Sequence, residues 1–211
     1  MFANPSCPII ALEEHFWDEE LTKHYPSGSE GTRRQQLLDR LYDIGDLRLR
    51  EMDEAGIDMQ VLSHGPPATQ KLPADIAIDL SRSVNDRLHA AVERHPDRFS
   101  GFAALPTAAP EAAAKELERC VKQLGFKGTM IHGQTNGLFH DDKQFWPIFE
   151  CAESLGVPVY LHPSFPNPVV YDAYYKDYVD DYPMVIRAAW GYTVETATQA
   201  IRVILAGIFV V

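Results

Sequence analysis

Short apolar runs alternate along the chain with longer amphipathic stretches. The short runs predict β-strands, and apolar residues spaced three or four apart predict helices. The predicted strands are residues 8–12, 57–63, 99–105, 128–131 and 157–161. The predicted helices are residues 33–55, 74–94, 111–124, about 145–155 and about 184–206. Residues 17–31 are polar and turn-rich, which predicts a surface insertion after the first strand.

Strands that alternate with helices indicate a parallel sheet, either open or closed into a barrel. The first strand runs into Glu13-Glu14-His15 and not into the glycine-rich turn of a dinucleotide-binding unit. In a (β/α) barrel the reactive groups lie at the carboxyl ends of the strands. We therefore predict one α/β domain of the TIM-barrel type over residues 1–211, with residues 17–56 forming an insertion and a helix after strand one.

Residues of metal-binding and acid/base type follow most of the predicted strands. Residues two apart on a strand point to one face, so Glu13 and His15 would project together. Their oxygen and nitrogen donors suit Zn²⁺ or Mn²⁺, although an E-x-H pattern alone is a weak signal. His64, His132 and His162 follow strands two, four and five. Each histidine alone is better explained as a loop residue, but their recurrence at equivalent points indicates one convergent metal or acid/base site.

Composition limits the range of partners. The 211 residues are 45% hydrophobic and carry a formal charge of −11 that is spread along the chain. Without a block of Lys and Arg, nucleic acid is not an expected partner, and without a long apolar run or leader pattern a membrane is not expected either. Three cysteines far apart in sequence (Cys7, Cys120 and Cys151) predict no disulfide framework and fit a reducing cytoplasm.

Several segments resemble one known family. Residues 10–16, I-A-L-E-E-H-F, are similar to the opening of the amidohydrolase-2 group of the amidohydrolase superfamily, nearest to the nonoxidative decarboxylases of hydroxylated aromatic acids. Residues 94–106 and 124–128 resemble the entries to its third and fourth strands. Residues 157–163, V-P-V-Y-L-H-P, resemble the fifth strand that carries a histidine ligand. The resemblance implies a distorted TIM barrel with Glu13, His15 and His162 as ligands of Zn or Mn.

The resemblance also implies an activity, the metal-dependent decarboxylation of a small hydroxylated aromatic or related unsaturated carboxylic acid. His132 and His64 are the candidate catalytic residues, although His64 could equally cap the loop after strand two. Phe16, Trp17 and Pro163 are candidates for the substrate pocket. Two alternatives stay open: a hydrolase that opens a lactone or amide on the same scaffold, and an inactive fragment or pseudoenzyme that binds metal or self-associates.

The end of the chain departs from the family pattern. The family's sixth strand ends in another histidine and its eighth in an aspartate that protonates the ring, and neither has a counterpart before Val211. We therefore expect an incomplete (β/α)8 barrel of about five β/α units, with little turnover. Because such a barrel exposes strand edges, we also expect a homo-oligomer or a partner that supplies the missing half.

Overall fold

Five parallel strands alternate with helices in the computed structural model, which describes residues 7–25 and 35–209. The strands are β1 (Ile10–Phe16), β2 (Met59–His64), β3 (Phe99–Gly101), β4 (Thr129–His132) and β5 (Val159–His162). The helices are α1 (Glu19–Thr22), α2 (Gln35–Tyr42), α3 (Asp46–Ala55), α4 (Ala74–Arg94), α5 (Pro110–Leu124), α6 (Trp146–Leu155), α7 (Pro168–Tyr174) and α8 (Gly191–Leu205). A 3₁₀ turn, Lys143–Phe145, leads into α6.

The strands lie side by side in sequence order. β1, β2 and β3 form one parallel hydrogen-bonded set, and β4 and β5 form another. A parallel bridge between Ala103 and Thr129 joins the two sets. This order confirms the predicted parallel α/β arrangement, whereas closure into a barrel stays a prediction.

Strand boundaries differ from the predicted ones because pairing, not hydrophobicity, decides them. β1 was predicted to end at residue 12, but its pairing with β2 continues to Phe16, opposite His64. Glu13 and His15 thus lie within the strand and not after it. β3 was predicted to reach residue 105 but ends at Gly101, because the chain then changes partner. The N–H of Phe102 donates to the Leu62 carbonyl, and that of Ala103 donates to the Gly128 carbonyl.

Two predicted helices are wrong in extent. The helix predicted over residues 33–55 is two helices, α2 and α3, because Asp43 ends the first one. Its Oδ1 accepts hydrogen bonds from the N–H groups of Gly45 and Arg48. The helix predicted from residue 184 begins at Gly191 and follows a series of turns. The predicted insertion over residues 17–31 contains α1, and its residues 26–31 lie outside the described part of the chain.

The sheet separates two apolar clusters. The larger lies between the sheet and the helices and includes Leu62, Leu88, Leu117, Phe99 and Ile131. The smaller lies on the other, inner face and consists of Val61, Phe102 and Met130, with Tyr160 packed against it. Because strand side chains alternate between faces, the residues two positions beyond Val61, Met130 and Tyr160 in their strands also face inward. None of the helices among the described residues has the length and apolar character that a membrane span requires.

Candidate metal centre

Three side chains meet where β1 and β5 approach each other across the inner face. One donor atom from each of Glu13, His15 and His162 lies within 4.8 Å of the other two. The Nε2 atoms of His15 and His162 are 3.0 Å apart, and Glu13 Oε1 is 3.3 Å from His162 Nε2. The structure therefore brings together all three residues predicted as metal ligands, although they come from opposite ends of the strand series.

An irregularity in β1 contributes to this convergence. The pairing with β2 shifts between Ala11 and Glu14: Ala11 lies opposite Gln60, whereas Glu14 lies opposite Leu62. The segment of β1 therefore contains one residue more than the segment of β2 that it faces. Such bulges change the direction of side chains and are frequent beside functional sites. Glu13 lies within this irregularity and His15 in the regular pairing that follows it, and the side chains of both reach the cluster.

Hydrogen bonds orient both imidazoles. His162 Nδ1 donates to the carbonyl of Pro163 at 2.7 Å, so its Nε2 is left with a lone pair. His15 Nδ1 lies 3.1 Å from Ser63 Oγ, which can accept its proton. Each ring therefore presents Nε2 to the cluster and is held through its other nitrogen, the arrangement usual for metal-ligating histidines.

The spacing of the donors fits a divalent cation. Ligand bonds of about 2.0–2.2 Å around Zn²⁺ place neighbouring donor atoms roughly 3.0–3.5 Å apart. Two of the three donor separations, 3.0 Å and 3.3 Å, lie in that range. The third pair, Glu13 and His15, lies within 4.8 Å. Burial, followed by the nearby His162, lowers the pKa of His15 to about 4. Burial also lowers the pKa of His162. Both rings are thus neutral at pH 7, as coordination requires.

His132 lies beside the ligand cluster with one nitrogen unused. Its ring centroid is 4.7 Å from that of His162 and 5.9 Å from that of His15. Nε2 donates to the His64 carbonyl at 2.9 Å, whereas Nδ1 is buried and has no hydrogen-bond partner among the described residues. Burial lowers the pKa of His132 well below its usual range, so the ring is neutral and Nδ1 carries a lone pair.

The turn after His132 depends on a glycine. Gly133 has φ of +59°, and a Cβ at this position would lie 1.8 Å from the Oγ of Ser164. Any side chain would therefore push the loop after β5 away from the loop after β4. The loop after β5 begins directly beyond His162. Gly133 therefore helps to keep His132 and His162 close together.

His64 is held entirely by the backbone. Its Nδ1 donates to the Gly65 carbonyl at 2.8 Å, and its Nε2 accepts the N–H of Asp18 at 3.0 Å. The side chain is 2% exposed, and burial lowers its pKa to about 4. With both nitrogens occupied, this geometry favours the loop-capping alternative over a catalytic role for His64.

The candidate pocket residues lie in different surroundings. Phe16 and Trp17 are 2% and 4% exposed, and Phe16 belongs to the larger apolar cluster. A Cβ on Gly65 would lie 2.7 Å from Trp17 Nε1, so this indole is packed directly against the loop after β2. Their packing is that of core residues and does not support the predicted substrate contacts. Pro163 is partly exposed beside His162, and its contact with a substrate stays a prediction.

Sequence reasoning missed Tyr160 and Ser63. The Tyr160 hydroxyl donates to Glu13 Oε2 at 2.5 Å, and this hydrogen bond raises the pKa of Tyr160 to about 12. Ser63 holds His15, as described above. The available signal was periodicity: Tyr160 lies two positions before His162, and both residues therefore face inward from the same strand.

A surface recess lies elsewhere, at the amino ends of the strands. It is lined by residues including Ile9, Asp58 and Arg98, which precede β1, β2 and β3. The ligand cluster lies towards the carboxyl ends of the strands. This recess lies at the opposite ends of the same strands and is not part of the candidate centre.

The family model for amidohydrolases matches residues 12–210, nearly the whole chain and all of the candidate centre. The chain belongs to the amidohydrolase family. It is 42% identical, over 95% of its length and 62% of the other protein, to a γ-resorcylate decarboxylase from Polaromonas sp. strain JS666. It is 40% identical to the γ-resorcylate decarboxylase of Rhodococcus jostii over similar shares of both chains.

Solved structures of decarboxylases are also similar to this chain. The crystal structure of a dihydroxybenzoic acid decarboxylase from Polaromonas sp. JS666, with bound manganese and the inhibitor 2-nitroresorcinol, superposes with a TM-score of 0.84 at 40% identity. It is matched over 96% of this chain and 61% of that one. A manganese complex of 5-carboxyvanillate decarboxylase from Novosphingobium aromaticivorans has a TM-score of 0.87 at 31% identity, over 97% and 62%. This amidohydrolase chain thus spans about three fifths of the length of the relatives it matches.

Proposed function

We propose that the protein is a metal-dependent decarboxylase of a hydroxylated aromatic carboxylic acid. The observation that carries the proposal is the convergence of Glu13, His15 and His162, whose donor atoms lie within 4.8 Å of one another. A bound Zn²⁺ or Mn²⁺ would supply Lewis-acid chemistry and a template for the substrate's carboxylate and neighbouring hydroxyl. Three protein ligands leave open positions for these two groups. Support comes from relatives whose names state γ-resorcylate decarboxylase and from a manganese-bound relative.

We assign His132 the binding of a substrate hydroxyl. The lone pair on its Nδ1 is buried, unpartnered among the described residues and close to His162. A buried acceptor without a donor is costly, so a phenolic O–H placed against it would form a strong hydrogen bond. The His64 carbonyl holds the opposite nitrogen and thereby fixes the tautomer. In this scheme His64 contributes through its backbone.

A purified sample of the 211-residue protein tests the proposal with two readouts. Binding of Mn²⁺ and Zn²⁺ is measured by calorimetry. Turnover is measured with and without chelator, as CO₂ release from a panel of hydroxybenzoates and as ring or bond opening in a panel of lactones and amides. Metal binding with chelator-sensitive CO₂ release supports a decarboxylase. Opening of a lactone or amide without CO₂ release would favour the hydrolase alternative, and metal binding without turnover would favour the fragment or pseudoenzyme alternative. Absence of metal binding would refute the decarboxylase and the hydrolase, and would leave of the third alternative only an inactive fragment that self-associates.

We further propose that copies of the chain associate in a reducing compartment such as the cytoplasm. Helix α8 exposes the apolar residues Ile201, Ile204 and Leu205, of which the last is 79% exposed. Apolar surface of this kind is usually covered by another molecule. The described cysteines are all free, which fits a reducing environment.

A further inference from the structure

Tyr160 holds one oxygen of Glu13. Its hydroxyl donates to Oε2 at 2.5 Å, while the other oxygen, Oε1, lies 3.3 Å from His162 Nε2. We propose that Tyr160 is a positioning residue that makes Glu13 a ligand through one oxygen only, an inference that rests on the proposed metal centre. The direction of the hydrogen bond is fixed, because a carboxylate can only accept and a phenol O–H donates.

The tyrosine ring is itself well supported. Tyr160 packs against Phe102, with ring centroids 6.2 Å apart, and contacts the inner apolar cluster of Val61, Phe102 and Met130. The strand repeat of two places its side chain on the same face as that of His162. A ring anchored on β5 therefore delivers its hydroxyl to a carboxylate on β1, across the width of the candidate centre.

The Glu13 carboxylate is not held in place by packing. Its side chain is 47% exposed, whereas that of His162 is 7% exposed, so packing alone does not fix the carboxylate. An unrestrained carboxylate can bind a cation through one oxygen or two. With Oε2 engaged by Tyr160, only Oε1 is directed to the cluster. The positions that a second oxygen would have occupied stay open for the substrate's carboxylate and hydroxyl.

Tyr160→Phe tests this role because it removes the hydroxyl and keeps the ring packed on Phe102. Partners that orient metal ligands typically affect metal affinity by about 10–100-fold. We expect Tyr160→Phe to weaken Mn²⁺ binding, measured by calorimetry, by that factor while the melting temperature without metal stays unchanged. The Mn²⁺ electron paramagnetic resonance spectrum should also change as Glu13 alters its mode of binding. Tyr178→Phe, at a residue 60% exposed, is the matched control and should bind as the unaltered protein does.

A double-variant cycle separates action through Glu13 from other effects. In a Glu13→Ala background the two histidines remain as a weaker pair of ligands. Adding Tyr160→Phe there should change Mn²⁺ affinity by less than about twofold. Wild-type affinity and spectrum in Tyr160→Phe would overturn the inference while leaving the proposed metal centre intact. A loss of affinity matched by an equal loss of stability without metal would show a merely structural role. Failure of the unaltered protein to bind metal would overturn both proposals.

Discussion

His162 is the side chain on which the candidate centre depends most directly, because it is the buried ligand and the one contributed by β5. We predict that His162→Ala lowers Mn²⁺ affinity by more than about 100-fold, beyond the loss typical of an orienting partner. Mn²⁺ should raise the melting temperature of the unaltered protein by mass action but not that of the variant. His89→Ala, on α4 and paired with Glu93, is the control histidine change. Equal metal affinity in the His162 and His89 variants would contradict the assignment.

His140 should make stability sensitive to acid. It is fully buried between Thr135 Oγ1 at 3.0 Å and Gln199 Nε2 at 3.2 Å, and burial lowers its pKa to about 4. Between pH 4 and about 6.5 the unfolded chain therefore binds a proton that the folded protein does not, so stability falls as pH falls through this window. At pH 5.5 the loss of stability attributable to His140 is about 1 kcal/mol relative to neutral pH.

Urea unfolding at pH 7.5 and 5.5 measures this effect. The remaining buried histidines, including His64, act in the same direction, so the unaltered protein should lose more than His140 alone accounts for. His140→Gln keeps a polar group in the same place and removes the titration. The free energy of unfolding that this variant loses between the two pH values should be smaller by the contribution of His140. An identical loss in His140→Gln and the unaltered protein would show that His140 does not titrate as described.

Residue type and position in the chain could predict the ligand trio but not its geometry. Glu13, His15 and His162 are chemically suited donors near strand ends, so the pattern singles them out. Their approach to within 4.8 Å depends on sheet curvature and on the extra residue in β1, which hydrophobic periodicity does not encode. Tyr160 was missed for a different reason: tyrosine is common in strands as a packing residue, and its hydroxyl contact lies 147 residues away in sequence.

At the scale of elements, long amphipathic helices are well predicted and their interruptions are not. α4 has the predicted bounds, Ala74–Arg94, because 21 residues of regular spacing outweigh local effects. The break between α2 and α3 arises from the side chain of Asp43, whose hydrogen bonds satisfy backbone N–H groups at the start of α3. α7 begins at Pro168, directly after Asn167, whose side chain accepts the N–H of Val169 and caps the helix in a similar way.

One buried amide on α4 joins this helix to the segment after β3 and to α5. Asn85 Nδ2 donates to the Ala104 carbonyl and to Glu116 Oε1, and Asn85 Oδ1 accepts the N–H of Ala104. Asn85→Ala leaves the N–H and the carbonyl of Ala104 without this partner in a buried place, whereas Glu116 keeps Arg119. We therefore predict destabilisation of about 3 kcal/mol by urea unfolding. Asp79→Ala, at an exposed position of the same helix, should stay within about 0.5 kcal/mol. Similar unfolding curves for both variants would contradict the role given to Asn85.

At the scale of the whole molecule, the candidate centre forms only when the complete strand series is in place. His15 and His162 are 147 positions apart, and the intervening strands β2, β3 and β4 set the distance between them. A cation bound here would therefore stabilise the whole sheet and not one element, since it joins the first strand to the fifth. The same series has two edge strands, β1 and β5, and each is paired on one side only among the described strands.

The two edge strands, β1 and β5, and the apolar face of α8 lead to the last prediction, which is self-association. Ile10 on β1 is 53% exposed, and Ile204 and Leu205 on α8 are 55% and 79% exposed. We expect a dimer or larger species in light scattering, with a mass that rises across a concentration series. Ile204→Glu combined with Leu205→Glu should shift the protein towards monomer, because charge is poorly tolerated in a buried apolar contact. Thr198→Glu adds charge at an exposed polar position of the same helix and should leave the mass unchanged. A monodisperse monomer of the unaltered protein at every concentration would rule out association through this surface.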